Sequence, residues 1–189
     1  EVMLAHQAQA MKDALTRVPL GLEGQCTSTY NNILGWMYDR PVPEIQRAGL
    51  FQEIVGTATQ DKMLADEIYC QTMKQLTRNP SDRSRLQGWK LMHGLCQSVC
   101  PTAALHEFVH AFLMRSMREC DGGDTEFAEI IKQCIADLNV TAAPDAVDED
   151  ELSLHVTLID ASSRRIRAPA SSTLHQLGEI TAATLKIGA

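Results

Sequence analysis

Apolar residues recur at three- and four-residue spacing along roughly the first 140 positions, and beyond residue 151 they switch to strict alternation. The first regime predicts seven helices. Residues 1–17 form the first, with Leu4, Ala8, Met11, Leu15 and Val18 on one side, ended by Pro19 and Gly21. Residues 27–38 follow, capped by Thr27 or Ser28, with Tyr30, Ile33, Leu34 and Met37 inward. A proline-bounded turn leads into a third helix over 43–57, where proline is tolerated in the first turn.

Asp61 opens a fourth helix that runs to about Thr77. Asn79-Pro80 ends it, because the residue before a proline is pushed out of the α region. A fifth helix follows the Ser81-Asp82 cap with Leu86, Trp89, Met92, Cys96 and Val99 on one face. Pro101 separates it from a sixth over 102–119, whose stripe is Leu105, Phe108, Val109, Phe112 and Leu113. Asp124 caps a seventh with Phe127, Ile130, Ile131, Cys134, Ile135 and Leu138 inward. Short connections and an absence of strand patterns indicate a mainly α helical bundle over 1–140.

Residues 141–151 read as an acidic linker, with Pro144 and five carboxylates. Leu152, Leu154, Val156 and Leu158 then alternate with polar residues, and Ile166 and Ala168 follow a polar ASSRR stretch. That predicts a β-hairpin. Ser171, Ser172 and Thr173 then cap a helix carrying Leu174, Leu177, Ile180, Thr184 and Leu185.

The polar residues between the apolar stripes carry a resemblance. DEIYCQ, MKQLTRNP and QGWKLM place Asp66, Glu67, Tyr69, Gln71, Lys74, Gln75, Thr77, Asn79, Pro80, Gly88 and Trp89 in a run that resembles the myosin-tail-homology 4 domain. That helical module sits in the tails of unconventional myosins and a few kinesins. The strand, turn, strand and helix over 152–189 are similar to the start of the ubiquitin-like first lobe of a FERM domain, which follows the module in this family. The resemblance implies a non-catalytic tail segment of a cytoskeletal motor, cytoplasmic and cytoskeleton-associated. It also implies that the rest of the FERM domain continues in a longer parent chain, of which this is a piece. The structural signature within it is Glu67, Tyr69, Gln71, Asn79, Pro80 and Trp89.

Composition narrows the alternatives. With 44% hydrophobic but only 5% aromatic residues, the core is built from Leu, Ile, Met, Ala and Cys. A net charge of −7 argues against a general nucleic-acid binder. No apolar run reaches the length of a membrane span, and the first residues lack the pattern of a secretory signal. Six cysteines without a CxxC pair fit a reduced, intracellular protein.

Two motifs have the letters of metal sites. His106, Glu107 and His110 match HExxH, in which two histidines one turn apart bind zinc and the glutamate activates water. This is the remote alternative, a zinc hydrolase. No third ligand follows at the usual spacing, and the histidines flank the apolar stripe. His93, Cys96 and Cys100 lack a partner half-site, and Cys96 fits the buried stripe. The expectation is no metal, no cofactor and no catalytic residue.

Charge points elsewhere. Between Lys74 and Lys90 five basic residues (Lys74, Arg78, Arg83, Arg85 and Lys90) face only Asp82, a local excess of four in an acidic chain. A concentrated positive face raises encounter rates with acidic partners even when the global charge is unfavourable. The resemblance supplies a candidate, since some of these domains bind microtubules through a basic surface. The expectation is a microtubule-binding face of these five residues. The alternative is docking of a cargo or adaptor segment, or autoinhibitory docking, without tubulin contact.

Overall fold

The computed structural model describes residues 5–120, 125–142, 151–157, 163–169, 172–173 and 175–176. The described residues fall in two compact units, divided after Ala142.

The first unit is a bundle of six helices: α1 (Glu23–Trp36), α2 (Glu44–Ala58), α3 (Lys62–Leu76), α4 (Asp82–Ser98), α5 (Ala103–Glu119) and α6 (Thr125–Ala142). The caps follow the local chemistry. Asp61 accepts from the amides of Met63 and Leu64 at the start of α3, and Ser81 accepts from Ser84 N at the start of α4. Helix α1 begins a turn earlier than its Thr27-Ser28 pair suggests. Thr27 instead folds its hydroxyl back onto the carbonyls of Glu23 and Gly24, inside the helix.

Of the helix expected over residues 1–17, none is formed among the described residues 5–17. Residues 5–22 carry no helix, and 5–16 run as an irregular strap along α3. The reason lies in where its amides find acceptors. Gln7 N donates to Gln75 Oε1, Leu15 N and Thr16 N donate to the Glu67 carboxylate, and His6 N donates to the carbonyl of Thr77. Tertiary acceptors replace the helical ladder and override a modest local periodicity.

The core runs between the helices, through Ile33, Met37, Ile54, Ile68, Tyr69, Trp89, Leu91, Met92, Leu95, Leu113, Ile131 and Leu138. Helix α4 packs on α3 and α6, and α5 packs on α6. Gly88 permits the close approach in the middle of α4: a Cβ there would lie 2.7 Å from both Leu76 Cδ2 and Met37 Cε. The stripe expected on α5 is narrower than its sequence implies. Val109 and Leu113 are buried, whereas Phe108 is 69% exposed.

In the second unit, β1 (Glu151–Thr157) pairs antiparallel with β2 (Ser163–Pro169), from Glu151 opposite Pro169 to Thr157 opposite Ser163. Helix α6 reaches Ala142 and β1 starts at Glu151, and residues 143–150 of the linker expected over 141–151 lie outside the described residues. Thr173 and Gln176 form a reciprocal cap: Thr173 N donates to Gln176 Oε1 at 2.8 Å, and Gln176 N donates to Thr173 Oγ1 at 3.4 Å. The rest of the helix expected after Thr173 lies outside the described residues, as does the expected cap Asp124.

Candidate functional site

Helix α3 is the hub on which the polar signature is mounted. It buries Glu67, Gln71, Thr72, Lys74 and Gln75 among its apolar residues. Buried polar groups are stabilised by pairing; Thr72 donates to Ile68 O within the helix, whereas Glu67, Gln71, Lys74 and Gln75 tie α3 to other segments. Asp66 accepts from Thr102 N at 2.9 Å and from its hydroxyl at 2.6 Å, fixing the entry to α5. Tyr69 donates its hydroxyl to the carbonyl of Val99 at the end of α4. Gln71 donates to the Cys26 carbonyl and to Glu67. Tyr30 donates to Gln75, which in turn donates to Gln7 O and Asp39. His6 Nε2 lies 3.2 Å from the same Asp39 carboxylate.

Asn79 builds the turn between α3 and α4. Its amide nitrogen donates to Gln75 O and to Ser84 Oγ, and its side-chain oxygen accepts from Ser81 N. Pro80 stands exposed at the tip. Organisation of this turn by buried signature residues is therefore the work of Asn79, while Glu67 and Gln71 hold the strap and α1. Trp89 is 4% exposed and stacks on Phe112, ring centroids 5.8 Å apart.

The five basic residues do not share one environment. Lys74 must be removed from any exposed face. It is 3% exposed, and its ammonium donates to Ala5 O in the strap at 2.5 Å, with its pKa lowered by burial. Arg78, Arg83 and Arg85 lie at or near the turn, and Lys90 lies further along α4. Arg78 is exposed and has a left-handed backbone, φ 55°. Arg83 lies over the Tyr38 ring, 3.6 Å from its centroid, with Arg47 3.7 Å away on that ring as well. Arg85 is half-buried, paired with Asp82 at 3.0 Å and lying over the Phe127 ring. Lys90 is exposed on α4.

Beside the turn, a cleft of about 390 Å³ opens between the end of α3, α4 and α5. Arg78, Arg85 and Arg115 line it together with Trp89, Phe112 and Ser116, so cationic walls meet an aromatic floor. No local pattern announces this cleft, because Arg115 comes from a helix 25 residues beyond Lys90.

The HExxH residues lie apart from this cleft. Glu107 is 85% exposed, and His106 Nδ1 is 3.9 Å from its carboxylate. Among the described residues, no three His, Cys, Asp or Glu side chains converge in a metal-binding arrangement. His93 pairs with Asp137 at 2.9 Å, while Cys96 is buried in the core.

Residues 51–146 match the MyTH4 domain family. The chain belongs to that family. The myosin-tail-homology resemblance thereby stands, and the MyTH4 domain is a non-catalytic module. The chain is 31% identical over 134 residues to the high molecular weight form of myosin-1 from Acanthamoeba castellanii. That alignment covers 71% of this chain and 8% of the relative, so the chain corresponds to a small part of a much longer myosin. Among solved structures, the Dictyostelium discoideum myosin VII MyTH4-FERM MF2 domain is similar, with TM-score 0.71 and 20% identity, over 97% of this chain and 40% of that one. The human myosin 7b C-terminal MyTH4-FERM domain, solved in complex with the harmonin-a PDZ3 domain, is similar with TM-score 0.60 and 18% identity, over 96% of this chain and 40% of that one. The last two likenesses establish the fold. Among the described residues, no helix of this MyTH4 chain is long and apolar enough to cross a membrane.

Proposed function

We propose that this MyTH4 module is a docking element in the tail of a myosin motor and that it engages the acidic microtubule surface through Arg78, Arg83, Arg85 and Lys90. The observation that carries this reading is the concentration of Arg78, Arg83 and Arg85 at the α3–α4 turn, with Lys90 exposed further along α4, in a chain of net charge −7. Asn79 and Ser81 fix the backbone, and the Tyr38 ring holds the Arg83 guanidinium, so less side-chain freedom is lost on binding. Exposed cations contribute chiefly to encounter rate and orientation, and they respond to salt. Motor activity and the remaining FERM lobes belong, on this reading, to the longer parent chain.

The experiment is co-sedimentation of the 189-residue chain with microtubules across a salt series. Pelleting at low salt that fades toward 1 M, where the Debye length has dropped to about 3 Å, supports the reading. Absence of pelleting at low salt rejects it.

A second reading has its own support. The harmonin-a PDZ3 complex of the human myosin 7b domain is formed by a protein of the same fold. On that reading the chain docks a protein partner, a cargo or adaptor, without tubulin contact.

A further inference from the structure

We infer that the cleft between the end of α3, α4 and α5 is a receptor site for a short acidic segment of a protein partner, in which a carboxylate is followed by an apolar side chain. The inference rests on the chain being a docking module and does not depend on tubulin being its partner.

The charge is complementary. Among the described residues, three guanidiniums, Arg78, Arg85 and Arg115, line the cleft together with the carboxylate of Glu119. Glu119 is held by Arg115 at 2.9 Å, in an exposed pair that water and ions readily exchange. Arg85 is engaged with Asp82, but Arg78 has no ion-pair or hydrogen-bond partner among the described residues. Its backbone is nonetheless fixed, because the next residue, Asn79, makes three hydrogen bonds. A planar guanidinium presented from a fixed turn matches a carboxylate in two-point geometry.

The floor sets the rest of the ligand. Trp89 and Phe112 stack at the base and Leu76 adjoins them. An apolar or aromatic side chain entering there displaces water from apolar surface and gains ring contacts. A volume of about 390 Å³ lies in the range of sites that enclose part of a ligand, about 300–1,000 Å³. A polyanion such as nucleic acid fits poorly, since Glu119 interrupts the cationic lining in a chain of net charge −7.

The test uses the full chain and three fluorescein-labelled peptides, followed by anisotropy and by ¹H–¹⁵N spectra. The acidic-apolar probe is Gly-Ser-Glu-Phe-Glu-Gly-Ser. One control replaces both glutamates by lysine, and the other replaces phenylalanine by glycine. The expected result is saturable binding of the first peptide alone, with shifts at the Trp89 indole N–H and at the amides of Arg78 and Ser116. Arg78→Glu with Arg115→Glu should weaken it by about tenfold or more, the scale of lost charge complementarity. Ser116→Phe, which fills the cleft without altering charge, should abolish it. Lys90→Glu, outside the cleft, should leave it within about twofold. Thermal melts confirm that each variant is folded, and Arg78→Ala supplies a milder loss should the double reversal fail to fold. Equal binding of all three peptides, no binding of the first, full binding to Ser116→Phe, or displacement by an equal concentration of inorganic phosphate would overturn the inference. Peptide binding without microtubule pelleting leaves the cleft standing and removes tubulin, whereas pelleting without peptide binding does the reverse.

Discussion

Glu67 holds Thr16 across 51 residues of sequence, accepting from its amide at 2.7 Å and from its hydroxyl at 2.6 Å. The same carboxylate accepts from Leu15 N and from Gln71, so a fully buried anion is surrounded by four donors. This arrangement turns a segment with weak helical periodicity into a strap and explains why a charged residue can sit inside α3. Replacing Glu67 with Gln should cost about 1–3 kcal/mol, because a neutral amide cannot accept from all of these donors. Urea unfolding reads the loss, and amide exchange at Leu15 and Thr16 locates it. Unchanged protection of those two amides would show that the strap is held by something else.

Trp89 lies between the core and the floor of the cleft. Trp89→Ala removes the stack on Phe112 and opens a cavity, at a cost of about 3–5 kcal/mol. A thermal melt within a degree of the parent protein would contradict the packing described.

Alkaline pH should destabilise the bundle. Burial, with Glu67 nearby, pushes the Cys26 thiol up to about 11, and burial with Glu67 and Asp66 pushes Cys70 up to about 12, from 9.0. Both folded-state values lie above the unfolded value. The unfolded chain therefore loses protons first as pH rises, and the stability these thiols contribute is present below 9 and lost between 9 and 11–12. Lys74, lowered by burial, acts in the opposite sense, since the unfolded lysine binds its proton more tightly. Chemical denaturation from pH 8 to 11 should show a net decline that is shallower in Cys26→Ala and steeper in Lys74→Met. A slope unaffected by Cys26→Ala would contradict this assignment.

The helical bundle was legible because apolar periodicity and local caps operate within one helix. Asp61 and Ser81 sit where their sequence context puts them. The polar signature was legible as a pattern but not as a set of pairings. Asp66 and Thr102, or Tyr69 and Val99, meet only after three helices have packed. The same limit produced the two clearest departures. The 1–17 periodicity could not register acceptors waiting on α3, and Lys74 looked exposed because the strap that covers it lies 69 residues away. The cleft joins Arg78 to Arg115, from elements that no local pattern connects.

In the proposed docking mode, Arg83 near the α3–α4 turn and Lys90 further along α4 face the acidic microtubule surface. The most direct measurement is co-sedimentation at low salt of the parent chain and of Arg83→Glu with Lys90→Glu. Both residues are exposed and outside the cleft, so their reversal should leave the thermal melt within about 1 kcal/mol of the parent. The parent should pellet with microtubules and the double variant markedly less. Equal pelleting of the two folded proteins would contradict this docking mode.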